Sequence, residues 1–171
     1  MSIGEPRSRD YGSLFGAVDG LPVRLSVPVY GHWYAREEHK SLAMPIPGNV
    51  SVIKHLSPMD LRDLYARSQF VILPIRDLVY SAGATATLEE GSMARAVIAF
   101  RSEGIRDYII DGETGILVEP GNIPALRDAI RFLMANPKEA KRLGCNARER
   151  IIKELSFERY VKGIAKVLMQ Y

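Results

Sequence analysis

The stretch SAGATATLEEGSMARAVIAFRSEGIRDYIIDGETGILVEPGN, residues 81–122, decides the fold. It opens on a loop of small residues, Ser81, Ala82, Gly83 and Ala84, which runs into a helical pattern carrying Glu89. A β-branched, apolar run from Ala96 to Phe100 follows, and then a turn punctuated by Asp111, Gly112, Glu113, Thr114 and Gly115. Loop, helix, strand and turn in that order suit an open α/β sheet, in which backbone N–H groups at a helix N-terminus face a ligand phosphate. The expectation is a bound nucleotide.

The flanking sequence extends the same alternation. Met1 to Gly4 reads as the end of a short strand, and Leu14, Phe15 and Val18 give a short helix that Gly20 closes. Val23 to Val29 and Val50 to Ile53 read as strands, with the irregular segment Tyr30 to Gly48 between them. Ser57, Pro58 and Asp60 are a cap, a first-position proline and a third-position acid, which predict a helix to about Ser68. Phe70 to Leu73, Val97 to Phe100 and Ile116 to Val118 are continuous apolar runs, as expected of strands buried on both faces of a parallel sheet. Asn122 with Pro124, Asn136 with Pro137, and Ser156 then start three helices, running to about Met134, to about Glu154 and through Tyr160, Ile164, Val167 and Leu168. The predicted fold class is α/β: a Rossmann-like, doubly wound parallel sheet of about six strands with helices on both faces, in a single domain over residues 1–171.

Composition narrows the function. At 171 residues the chain fits one domain with a sizeable core. Its 47% hydrophobic and 25% charged residues are ordinary for a water-soluble domain, and no apolar run reaches the roughly 18 residues of a membrane span. The first ten residues lack the apolar core of a secretory signal, and the single Cys145 has no partner for an internal disulfide, so a reducing, cytoplasmic setting is expected. The formal charge of +3 comes from dispersed lysines and arginines, without the basic patch and interleaved aromatics of nucleic-acid recognition. His32, His39 and His55 have no companions at metal-ligand spacing, so no metal site is expected.

The chemistry concentrates at the start of the helix carrying Glu89. Small residues at 82–84 let the main chain approach a diphosphate, and the helix aims its unpaired N–H groups and positive dipole end at that charge. Glu89 lies about one turn inside. Helical side chains tilt back toward the N-terminus, so its carboxylate has the reach to accept two vicinal hydroxyls of a ribose. A second reading stands beside this one: Glu89 and Glu90 are acids near a helix N-terminus, where they are favourable without any ligand.

Taken together, Leu88, Glu89, Met93, Ala94 and Ala96 to Ala99, the run Asp111 to Asn122, and Leu56, Ser57, Leu61, Leu64 and Tyr65 resemble the C-terminal, donor-binding domain of GT-B fold glycosyltransferases, specifically the retaining family 4, glycosyl transferases group 1. The resemblance covers nearly the whole chain. It implies a nucleotide-diphosphate sugar donor, UDP- or GDP-linked, used in retaining, metal-independent glycosyl transfer with no cofactor. The acceptor is a growing polysaccharide, a glycolipid or another glycan, contacted through an N-terminal domain that this sequence does not include. The setting is cytoplasmic, with the full-length protein peripheral at the inner face of the membrane.

The resemblance also implies site residues. Gly4 and Arg9 follow the first strand, where the family places cations that neutralise the leaving diphosphate; Arg9 matches the later of two basic positions, Glu5 stands at the earlier, and Arg7 is close by. A solvated surface arginine is the alternative for Arg9. The base packs beside Lys54, His55 and Leu56; the diphosphate lies along Ser81, Ala82, Gly83, Ala84 and Thr85; Glu89 holds the ribose. The family's first glutamate, which touches donor sugar hydroxyls, falls at Ser81, with Asp77 nearby, and Glu103 and Gly104 occupy the sugar-facing loop. Residues 157–171 resemble the terminal helix that packs on the other domain. A non-catalytic interaction module, or one chain of a split glycosyltransferase, is the other functional class that the substitution at Ser81 and the short N-terminus leave open.

Overall fold

The computed structural model describes residues 1–4, 6–29, 45–54, 56–76 and 82–170. Five strands form two parallel ladders: β1 (Leu25–Val29) pairs with β2 (Val50–Lys54), and β4 (Ala96–Phe100) pairs with β3 (Phe70–Leu73) on one side and β5 (Ile116–Val118) on the other. Residues 1–3 join the ladders. The Met1 amine donates to Phe70 O at 3.0 Å, Ile72 N donates to Met1 O at 2.8 Å, and Ser2 N donates to Ser26 O at 2.9 Å. Counting that segment as the first row, the spatial order is third, second, first, fourth, fifth, sixth. This is the doubly wound order of dinucleotide-binding sheets, whose reversal lies between residues 1–3 and β3.

The described residues also form six helices: α1 (Tyr11–Val18), α2 (Pro58–Arg67), α3 (Ala84–Ser92), α4 (Ile123–Ala135), α5 (Pro137–Glu154) and α6 (Phe157–Leu168). Alternation along the strands sorts the core into two layers. Phe70, Ile72, Ala96, Ile98 and Phe100 face α1, α4 and α5, where Leu14, Leu126, Ile130 and Leu143 are buried against them. Val71, Leu73, Val97 and Ala99 point the other way, onto Leu61 and Tyr65 of α2 and Ala86 of α3. Every residue of β3 and β4 is buried, which is why these strands read as unbroken apolar runs.

Local sequence sets the helix ends. Ser57 and Asp60 form a capping box: the Ser57 side chain accepts from Asp60 N at 3.1 Å, and the Asp60 carboxylate accepts from Ser57 N at 3.2 Å. The Asp60 carboxyl sits below its ordinary value, chiefly because the Ser57 hydroxyl donates to it. Asp10 caps α1 by accepting from Ser13 N, and Asn122 caps α4 by accepting from Ala125 N. In α6 none of the residues is buried, and Phe157, Tyr160, Val161, Ile164, Val167 and Leu168 are exposed.

Helix α5 comes close to the chain reversal before β4. A Cβ on Gly144 would stand 2.2 Å from Ala94 O and 3.0 Å from Ala96 N, both backbone atoms that cannot step aside. Ala94 itself holds φ +53, the left-handed region. Gly144→Ala should therefore cost about 1–3 kcal/mol through overpacking, despite alanine's better helix propensity. Gly163→Ala on α6, where nothing lies within 4 Å, should instead stabilise by up to about 1 kcal/mol. Thermal denaturation of the two variants checks this; a lower Tm for Gly144→Ala beside an unchanged or higher Tm for Gly163→Ala is the expected pair.

Candidate functional site

In a parallel sheet the ligand crevice lies outside the carboxyl ends of the strands, where the strand order reverses. Here two loops meet at that point, residues 4–10 after the first row and residues 74–83 after β3, the latter described at 74–76 and 82–83. The backbone stitches them together: Asp10 N donates to Pro74 O at 2.7 Å, Arg76 N to Ser8 O at 3.1 Å, and Arg9 bridges to Ile75. The Arg76 side chain adds a bond from Nε to Arg9 O at 3.2 Å.

Arg9 sits at the centre, only 4% exposed. Its Nε donates to Ile3 O at 2.9 Å, and its Nη1 donates to Ser8 O at 3.3 Å and Ser8 Oγ at 3.1 Å. The guanidinium lies against Gly4, where a Cβ would fall 2.4 Å from its Cζ. Its Nη2 is 3.7 Å from where a Cβ on Gly83 would be, so the cation reaches from the first loop to the start of α3. Gly4 (φ +137) and Gly83 (φ +91) both need the freedom of glycine, and a Cβ on Gly83 would also run into Ile75 at 2.4 Å. Arg9 is therefore an enclosed cation, and the surface alternative for it is set aside. Behind it, Tyr11 donates to Gly4 O at 2.9 Å; burial pushes its phenol up to about 12.

Gly83 is the N-cap of α3 and, having no side chain, leaves the helix without a side-chain cap. The first N–H groups of a helix have no intrahelical acceptor, and here they open beside the Arg9 cation. Ala82 and Ala86 are buried, Gly83 and Ala84 half-buried and Thr85 exposed. Glu89, one turn below Thr85, is exposed and accepts a hydrogen bond at Oε2 from the Tyr65 hydroxyl at 3.0 Å. Thr85, Leu88, Glu89, Ser92 and Met93 of α3 and Pro58, Leu61, Arg62 and Tyr65 of α2 line an open groove of about 550 Å³. Leu56, half-buried, immediately precedes the α2 cap at the same edge. The structure thus brings Gly4, Arg9, Ala82, Gly83, Ala84 and Thr85 into one crevice and sets Glu89 and Leu56 along its α2 side. Glu5, Asp77, Ser81, His32, His39 and His55 lie outside the described residues.

The turn Asp111 to Gly115 stands immediately before β5, at the edge where the strands begin and opposite to the crevice. Its work is packing. Thr114 Oγ1 accepts from Ile110 N at 2.8 Å, Arg142 Nη2 and Asn146 Nδ2 of α5 donate to Gly112 O and Glu113 O, and a Cβ on Gly115 would stand 2.5 Å from Val97 Cγ1. Glu103 and Gly104, by contrast, do follow the carboxyl end of β4, in a 3-10 turn where Glu103 pairs with Arg106 at 2.6 Å.

Two features escaped the sequence reading. Tyr65 stood in the sequence only as one residue of the family resemblance, not as the donor to Glu89. Glu90 was taken with Glu89 as one acidic pair, yet it is 1% exposed and neither of its carboxyl oxygens has a hydrogen-bond partner. Its carboxyl is pushed well above the ordinary value, first by burial and then by the Glu89 charge, against the opposing pull of Arg9 and the Met1 amine. Burial likewise lowers the Met1 amine to about 5, with Glu90 pulling it back up.

With this geometry established, comparison with known proteins gives the family. A model of the glycosyl transferases group 1 family matches residues 17–150, more than half of the chain. The chain belongs to the glycosyl transferases group 1 family. An uncharacterised glycosyltransferase of Methanocaldococcus jannaschii is 34% identical over 102 residues, which is 59% of this chain and 28% of that protein. The chain thus spans little more than a quarter of that relative's length. Among solved structures, sucrose-phosphate synthase from Thermosynechococcus elongatus superposes with a TM-score of 0.82 at 22% identity, covering 99% of this chain and 44% of the other. Anabaena HepE, solved in complex with UDP-glucose, superposes at 0.77 with 16% identity, covering 99% of this chain and 49% of the other. Such likenesses carry the fold: this group 1 chain has the parallel α/β architecture of a GT-B half. No helix among the described residues is long and apolar enough to cross a membrane, and no group of three or more His, Cys, Asp or Glu among them is placed to hold a metal ion.

The raised Glu90 value has a measurable sign. Between the ordinary carboxyl value, about 4.5, and its own raised value, the folded chain holds a proton that the unfolded chain has released. Its contribution to stability is therefore full below about 4.5 and is lost as pH rises through the folded value. Glu90→Gln keeps the shape without the titration, so its stability relative to the parent should grow as pH is raised. Urea denaturation of both proteins at pH 5 and pH 8 checks this; an equal difference at the two pH values would refute it.

Proposed function

We propose that this chain is the donor-binding half of a retaining glycosyltransferase and that its crevice takes a nucleoside diphosphate sugar. In this reading the diphosphate lies on the first N–H groups of α3, around Gly83 to Thr85, within reach of Arg9. Glu89 takes the ribose, and the base lies over Leu56 and Pro58. The carrying observation is the enclosed Arg9 guanidinium, packed against Gly4 and standing beside Gly83 at the uncapped start of α3. A buried cation and a helix N-terminus both favour an anion beside them. HepE, a structural neighbour, is described in complex with UDP-glucose, which supports the choice of donor class.

The chemistry follows from charge. As the glycosidic bond breaks, negative charge builds on the departing β-phosphate oxygen, and fixed donors aimed at that oxygen stabilise the transition state more than the ground state. Arg9 and the helix N-terminus supply this without a resident metal or cofactor. Acceptor contacts, to a glycan or glycolipid, belong to a second domain, and the exposed apolar residues of α6 are the surface on which that domain packs.

Calorimetric titration of the chain with UDP, GDP and ADP sugars tests the reading. One of the three series should bind, and Arg9→Gln should weaken it by about 10- to 150-fold, the worth of one charge-assisted hydrogen bond. A well-folded chain that gives no heat with any of them overturns the proposal.

A further inference from the structure

The hydrogen bond from Tyr65 to Glu89 joins two unlike partners. Tyr65 is 2% exposed, its ring held in the core layer with Leu61 and Val71. A ring so enclosed has one orientation, which makes its hydroxyl a donor at a fixed point. Glu89 is exposed on α3, where an unrestrained glutamate samples several rotamers and loses that freedom on binding a ligand. The 3.0 Å bond to Oε2 selects one of them before any ligand arrives. An ionised carboxylate has about four lone-pair sites and the tyrosine uses one. Glu89 lines the groove between α2 and α3, and the acceptor sites that remain on its carboxylate are enough for two adjacent hydroxyls.

We propose that Tyr65 is a positioning residue that presets the Glu89 carboxylate for a vicinal diol, so that the site selects a ribose over a 2′-deoxyribose nucleotide. The inference rests on the donor reading above. Selectivity follows because a site that hydrogen-bonds a hydroxyl penalises a ligand lacking it, and more strongly when the acceptor is already fixed.

The test measures a ratio. The 171-residue chain is titrated with UDP and 2′-deoxy-UDP, with GDP and 2′-deoxy-GDP, and with ADP and 2′-deoxy-ADP. The ribonucleotide of the series that binds should be favoured by about 10-fold or more. Tyr65→Phe keeps the ring and should bring the ratio toward one, mainly through weaker ribonucleotide binding. Glu89→Gln lies on the surface, leaves the core untouched, and should do the same. Adding Tyr65→Phe to Glu89→Ala should change the ratio no further, because the tyrosine acts only through the carboxylate. A general loss of packing would weaken both nucleotides alike and leave their ratio standing. A ratio unchanged in Tyr65→Phe or in Glu89→Gln, or absent from the parent chain, overturns this inference while the donor reading survives. Failure of all three ribonucleotides to bind the parent chain overturns the two together.

Discussion

A guanidinium with almost no water around it must be surrounded by acceptors, and the crevice is arranged to satisfy that requirement for Arg9. Its bonds to Ile3 O, Ser8 O and Ser8 Oγ fix the loop after the first row of the sheet. Its guanidinium fills the space a side chain at Gly4 would need, and Ile75 does the same at Gly83. The backbone bonds from Asp10 to Pro74 and from Arg76 to Ser8 then hold the second loop against the first. Charge, glycine placement and loop geometry are therefore one constraint. Moving the cation would leave buried carbonyls unpaired, and crowding Gly4 would displace the cation.

This dependence separates what could be read in the sequence from what could not. The unbroken apolar runs of β3 and β4, the Ser57–Asp60 capping box and the helix caps at Asn122 and Ser156 were legible, because each is decided by residues a few positions apart. The joining of the ladders through residues 1–3 was legible only as a strand end, since three residues carry no period. Gly83 could be marked as a close-approach glycine, but that Ile75 and Arg9 are what approach it depends on a crossing of two loops. The hydrogen bond of Tyr65 to Glu89 likewise spans 24 residues and two helices.

Glu89 and Glu90 show how much one position on a helix decides. They are the same residue type, side by side, and composition treats them alike. A step of about 100° around α3 sends Glu89 to the groove and Glu90 into the protein beneath the crevice. The exposed carboxylate lines the groove. The buried one, with no hydrogen-bond partner, is driven toward the neutral form, which leaves the Arg9 charge less offset from below. An ionised Glu90 would compete with any anion arriving from above, so the burial that disfavours its charge acts in the same direction as the anion site proposed for the crevice.

The two edges of the sheet divide the labour. Gly4, Arg9, Gly83 and the start of α3 gather at the carboxyl ends of the strands, while Asp111 to Gly115 sits at the opposite edge and is tied to α5 through Arg142 and Asn146. The most specific-looking segment of the family resemblance is thus a packing element: Gly115 admits Val97, and Thr114 closes its own turn. Its separation from the crevice has a physical logic. Loops at the carboxyl edge must leave polar groups open for a ligand and contribute little to their own stability. A turn at the amino edge has no such duty and can satisfy every bond internally, fixing the register of β5 against β4 and, through β4, the strand after which α3 is hung. A motif can therefore be diagnostic of a family because the site's scaffold needs it, with none of its residues touching the ligand.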